Sequence, residues 1–204
     1  MCQRDIGRYQ LARTPDLERK QDLLDDVTNY VRSNGVSALS LRPLAKGVST
    51  SPRNLLYHFG SSSEMIASII DRSLQIDCLG VEKALEDIHP AAPSKVLLTI
   101  WNYIASHHNA IRLYVDISSV GQATLNELED RIEQLTKSWR DAISNSMIAN
   151  GTAESDAREF ADLTLSTLWG SIVNLGSSAD GSDSAEPPAI SRLMRILDSQ
   201  TSRT

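Results

Sequence analysis

Apolar residues in this chain recur at intervals of three and four, the spacing of one helix face, and nowhere alternate over the length of a strand. The pattern predicts an all-α protein. A first helix is expected from about Asp16 to Ser33, burying Leu23, Leu24, Val27, Tyr30 and Val31, with Asn34-Gly35 as its stop. Two short helical pieces follow between Leu41 and Phe59. Ser61-Ser62-Ser63-Glu64 then reads as a capping box opening a helix that reaches Leu79 or beyond. His89-Pro90-Ala91-Ala92-Pro93 breaks the chain. Further helices are expected over about Ser94 to His108, Ala110 to Ser118, Gly121 to Ala149 and Glu154 to Leu175, with a last short one over Ala189 to Leu197. The Gly121–Ala149 segment has apolar spacings that alternate three and four, so its face should lie along another helix at a shallow angle. The Glu154–Leu175 segment is apolar on two sides, so it is either central to the core or covered on one side by another subunit. Residues 176–188 form a Ser/Asp/Gly/Pro linker.

Composition narrows the class. With 204 residues, 41% hydrophobic and 23% charged, the chain is long enough for one large or two small folded domains. Two cysteines, Cys2 and Cys78, have no metal-ligand spacing and suggest a reducing compartment. No apolar run approaches the roughly 18 residues of a membrane span, and the N-terminus lacks an apolar signal region. The expected location is therefore the cytoplasm, with no membrane partner.

Charge changes the picture once it is divided along the chain. The net charge of −6 would argue against nucleic acid. Residues 1–60, however, hold nine Lys/Arg against six Asp/Glu, net +3, while residues 61–204 hold eleven against twenty, net −9. A basic head on an acidic body points to separate tasks, one of them nucleic-acid contact.

The head contains the motif that carries function. In residues 40–59, Ser40 can cap a short helix that buries Leu41, Leu44, Ala45 and Val48. Ser51 and Pro52 suit the N-cap and first position of the next helix, which hides Leu55 and Phe59. Pro52, Arg53, Asn54, Leu56, Tyr57 and His58 stay at or near the surface. Two short helices joined by about three residues form a helix-turn-helix, whose second helix can enter the DNA major groove by its N-terminal end. Arg53 is the leading base reader, because guanidinium pairs bidentately with guanine. Asn54 suits either adenine or phosphate; the alternative for both Arg53 and Asn54 is that they are simply exposed polar residues. Ser40 and Arg42 are placed to grip phosphate. Arg4, Arg8, Arg13, Arg19 and Lys20 are within reach of DNA or form a solvated basic tail.

Here the sequence resembles the DNA-binding region of TetR-family transcriptional regulators. The resemblance runs from Leu23 to Ile70. It includes the Asn34-Gly35-Val36-Ser37-Ala38-Leu39-Ser40 entry, the Leu44-Ala45 pair, the Leu55-Leu56-Tyr57-His58-Phe59 ending and the Gly60-Ser61-Ser62-Ser63-Glu64 turn. It implies a helix-turn-helix DNA-binding domain over residues 1–60 and a helical ligand-binding and dimerisation domain over residues 61–204. The implied protein is a ligand-responsive repressor that acts as a homodimer through helices about 154–175 and 189–197. Its implied partners are a double-stranded DNA operator and a small-molecule effector, with no cofactor or metal. Tyr57 and His58 match backbone-contacting positions; a packed, hydrogen-bonded histidine is the competing reading of His58. Three positions depart from the family pattern. Ser49 stands where glycine is usual, Thr50 where an apolar residue is usual, and Ser62 where a phosphate-gripping lysine is common. Phosphate contact would then rest on Ser61, Ser62 and the local helix N-terminus.

In the body, Trp101, Tyr103, His107, Tyr114, Trp139 and Trp169 are the candidates to line a ligand pocket, with plain core packing as the alternative for each. His107 and His108 are adjacent, point about 100° apart on a helix, and suit no joint metal ligation. Arg112 and Asp116, four apart, read as a surface pair. Phosphate-loop, dinucleotide, nucleophile-elbow and zinc-protease motifs are all missing, so no enzyme is expected. The alternative to a regulator is a helical protein-interaction module that has lost DNA binding.

Overall fold

A computed structural model describes residues 14–118, 122–175 and 187–201. Within them the chain is helical throughout and contains no strand. The helices are α1 (Thr14–Asn34), α2 (Leu41–Gly47), α3 (Pro52–Phe59), α4 (Ser62–Glu86), α5 (Pro93–Ser106), α6 (His108–Ser118), α7 (Gln122–Ala149), α8 (Glu154–Leu175) and α9 (Pro188–Thr201). A 3-10 turn, Val36–Leu39, joins α1 to α2. The expected all-α class and the expected order of helices are both observed. Arg4, Arg8, Arg13 and the linker at residues 176–186 lie outside the described residues.

Packing divides the chain into two compact units, one ending at Ser73 and the next beginning at Leu74. The boundary expected from the charge division and the family resemblance lies earlier, at residues 60/61. The difference comes from the first turns of α4, where Met65, Ile69 and Ile70 are buried in the first unit. Polar clamps reinforce that packing. Arg72 Nε donates to Asp25 Oδ1 at 2.6 Å, and Arg32 Nη1 donates to Ser73 O and Oγ at 3.2 and 2.7 Å.

Part of the expected core of the first unit is fully buried, while Leu23, Leu24, Tyr30, Leu41 and Val48 are only half-buried. Val27 and Val31 of α1, Leu44 and Ala45 of α2 and Leu55 of α3 are buried, and Phe59 is nearly so. Fully burying each large side chain contributes about 1.5–3 kcal/mol. Helix ends follow local chemistry. Gly35 and Gly60 take positive φ after α1 and α3. The capping box at α4 closes in both directions: Ser61 N–H donates to Glu64 Oε2 at 2.9 Å, and Glu64 N–H to Ser61 Oγ at 3.2 Å. Ser40 stands at the N-cap of α2 in extended backbone, but its side chain makes no capping bond. Its expected capping role is thus met by position only.

In the second unit α8 packs on α7 and α9, α9 packs on α5, and α6 packs on α5 and α7. Ala157, Ala161, Thr164, Leu165 and Leu168 form the buried stripe of α8. Ala157 and Ala161 are small enough to let a neighbouring helix approach closely. The other side of α8 is open among the described residues: Leu163 is 49% exposed and nothing lies within reach of a Cβ placed on Gly170. On α9, Ile196 is likewise 41% exposed. The side chains of Leu125, Leu128 and Val173 lie outside the described residues. No helix among the described residues is long and apolar enough to cross a membrane.

Candidate nucleic-acid interface

The loop from α2 to α3 is held by three backbone bonds. Val48 N–H donates to Leu44 O, Ser49 N–H to Lys46 O, and Thr50 N–H to Ala45 O, at 3.1, 3.3 and 2.8 Å. Ser49 sits at φ 54, the left-handed region, where a side chain costs about 1–2 kcal/mol. Glycine would remove that strain and oppose it by only about 0.4–1 kcal/mol through a looser unfolded chain. Ser49→Gly is therefore expected to stabilise the protein by up to about 1 kcal/mol. A thermal midpoint that stays put or falls would refute this.

Ser51 caps α3 as its type and place suggest. Its Oγ accepts from Asn54 N–H at 3.1 Å, and Pro52 occupies the first helical position. With Leu55 and Phe59 turned inward, the start of α3 presents Ser51, Pro52, Arg53, Asn54 and Tyr57 to solvent. Tyr57 is 72% exposed, large for an aromatic side chain. Arg53 makes no hydrogen bond or ion pair among the described residues, so its five donors are available for a partner. Arg53 and Tyr57 are four apart and share a helix face, as do Asn54 and His58. His58 is half-buried, with its ring edge-on to Tyr57 at 5.0 Å. No hydrogen bond to it is found among the described residues. Ser40 and Arg42 at the start of α2, and Ser61 and Ser62 at the start of α4, are all exposed. Lys20 extends over the Phe59 ring at 6.0 Å, which draws it from a free tail into a cation–π contact. Lys46, exposed in the last turn of α2, is a further basic group that the motif reading passed over.

Many solved structures match this arrangement over most of their length. A TetR transcriptional regulator from Legionella pneumophila is 11% identical, with TM-score 0.62 over 87% of this chain and 94% of its own. The fold is that of TetR-family regulators. A transcriptional regulator from Rhodococcus sp. Rha1 is 18% identical, with TM-score 0.63 over 89% of this chain and 96% of its own. A regulator of the family from Aquifex aeolicus VF5 is 15% identical, with TM-score 0.60 over 89% and 98%. No family model and no curated protein matches the sequence. In the TetR fold the helix-turn-helix is α2 and α3, preceded by α1, and the helical C-terminal domain follows.

Five of the six residues expected to line a pocket fall into two clusters. Trp139 stacks on Trp169 at 6.2 Å between ring centres. Tyr103 stacks on His107 at 4.3 Å. Tyr103 and Tyr114 converge on Asp77, donating their hydroxyls to Oδ1 and Oδ2 at 2.9 and 2.6 Å. Trp101, Tyr114 and Trp139 are buried, Tyr103 and Trp169 are half-buried, and His107 is exposed. Asp77 is wholly buried and was not singled out from sequence. Gly80 makes room for the cluster, since a Cβ there would lie 2.4 Å from Tyr103 Oη. A groove of about 640 Å³ between α4 and α7 is lined by other residues, among them Glu82, Leu85, Lys137, Asp141 and Ser146. Burial pushes the Cys78 thiol up from its ordinary value, Glu82 and Asp77 add to the rise, and a hydrogen bond with Ser138 opposes it. The rise favours the protonated thiol over the nucleophilic thiolate. The Arg112–Asp116 pair forms at 3.4 Å, as its spacing suggests. No group of His, Cys, Asp or Glu among the described residues could hold a metal ion.

Proposed function

We propose that this protein is a sequence-specific DNA-binding transcriptional regulator without enzymatic activity. The observation that carries the reading is the capped start of α3, where Arg53, Asn54 and Tyr57 stand exposed on a helix anchored by Leu55 and Phe59. Arg53 reads a base, Asn54 and Tyr57 contact the duplex, and Ser40, Arg42, Ser61 and Ser62 contact phosphates at helix starts. The basic head attracts the polyanion, and the acidic body is repelled by it.

The regulator acts in the cytoplasm as a homodimer through α8 and α9. Exposed Leu163 and Ile196 support this, because apolar side chains left bare on packed helices favour a partner surface. Two recognition helices must then lie about 34–36 Å apart to enter successive major grooves. It is a repressor released by a small-molecule effector, which lowers DNA affinity by preferring a differently spaced dimer. The α4 helix is the lever, since it contributes to both packed units.

Gel shift of the full chain against DNA flanking its own gene tests the reading. Binding should weaken steeply with salt, because each phosphate neutralised releases counterions, with roughly 10³–10⁵ lost between 50 and 200 mM for 6–10 contacts. An affinity insensitive to salt, or no shift of any duplex, overturns it.

A further inference from the structure

The turn between α2 and α3 contains a side-chain bond that generic DNA binding does not require. Asn54 Nδ2 donates to Thr50 Oγ1 at 3.0 Å. Asn54 N–H also donates to Ser51 Oγ at 3.1 Å, so this exposed residue is held by backbone and side chain together. Thr50 is itself anchored, its N–H donating to Ala45 O at 2.8 Å, directly after the left-handed Ser49. The side chain of Asn54 makes no other hydrogen bond among the described residues.

An unrestrained asparagine presents either end of its amide. With Nδ2 held on Thr50, Oδ1 and the second N–H remain for a partner, one acceptor and one donor. Adenine offers the complement in the major groove, an N6–H donor beside the N7 acceptor. Guanine offers two acceptors there, O6 and N7. Phosphate offers acceptors only and would leave Oδ1 unmatched. We propose that Thr50 is a positioning residue that sets the Asn54 amide to read adenine, making Asn54 a specificity-determining contact. This rests on the DNA-binding reading above and deepens it.

The side chain at residue 50 has three properties that bear on this role. It lies four residues before Asn54, across the N-cap. It is half-buried, while the bond it makes to exposed Asn54 lies at the surface that a partner would meet. Its hydroxyl is retained by serine and lost in valine, which has nearly the same shape. Thr50→Val, Thr50→Ser and Asn54→Ala therefore separate positioning from packing.

The test is selection of preferred duplexes from a random-sequence DNA library by the full chain, followed by affinity measurement with each base at each selected position. The native protein should enrich an adenine in each half-site, favoured over other bases by roughly 5- to 150-fold. Thr50→Val should lose most of that preference while keeping its thermal midpoint, its affinity for random DNA and its salt slope. Thr50→Ser should keep the preference, and Asn54→Ala should abolish it. The proposal is overturned if Thr50→Val retains full adenine preference, or if Asn54→Ala weakens all sequences equally. Native protein that binds no duplex refutes the regulator reading itself, whereas native protein that selects a site indifferent to residue 50 refutes only the role of Thr50.

Discussion

Replacing Arg53 by alanine is expected to weaken binding to the preferred DNA site by about 1–3 kcal/mol and to relax selection at one base position per half-site. The size follows from bidentate pairing of guanidinium with guanine O6 and N7. Arg53 is suited to this because it is exposed, sits in the first turn of a capped helix, and is bonded to no neighbour among the described residues. No hydrogen bond or ion pair among the described residues is lost on truncation, so protein stability should change little. Affinity for the selected site and for random DNA, measured side by side, checks the prediction. An equal loss on both would make Arg53 a phosphate contact.

The second large effect is on stability. Asp77→Ala should destabilise the protein by about 3 kcal/mol or more. Two tyrosine hydroxyls from α5 and α6 converge on this buried carboxyl group, and a hydrogen bond to a carboxylate is worth about 1.5–3 kcal/mol. Truncation also removes the carboxyl oxygen that accepts from the buried Tyr114 hydroxyl. For a chain of this size the thermal midpoint should fall by roughly 6–12 °C. Asp77→Asn keeps the shape and one acceptor oxygen, so it should cost about half as much. Urea unfolding of both variants decides the matter, and a loss under about 1 kcal/mol for Asp77→Ala would show that the two hydroxyls find other partners.

Much of the fold was legible because helices are encoded locally. Every helix of the described chain has a matching periodic segment, and their ends coincide with Gly35, Gly60, Gly151 and the Ser61–Glu64 box. At the candidate interface, Ser51, Pro52, Leu55 and Phe59 announced both the start of α3 and its buried side. Lys20 and His58 were less legible. Whether a surface cation is free or lies over an aromatic ring depends on an element that returns from elsewhere in the chain. Thr50 was visible only as an unusual residue type. Its partner became visible once Ser49 took a left-handed backbone and the two side chains met across the cap.

The sequence by itself determined the all-α class, the order and caps of the helices, the helix-turn-helix and the division into a basic head and an acidic body. These follow from 3.6-residue periodicity, side-chain capping and summed charge, all of which act over a few residues or need no geometry. Only the tertiary structure decided that the packed head extends through the first turns of α4 to Ser73, and that one side of α8 is bare at Leu163. It alone joined Tyr103 and Tyr114 to Asp77 across 26 and 37 residues. Such contacts depend on how helix faces dock. Helical spacing states which residues share a face, but not which other face will cover it.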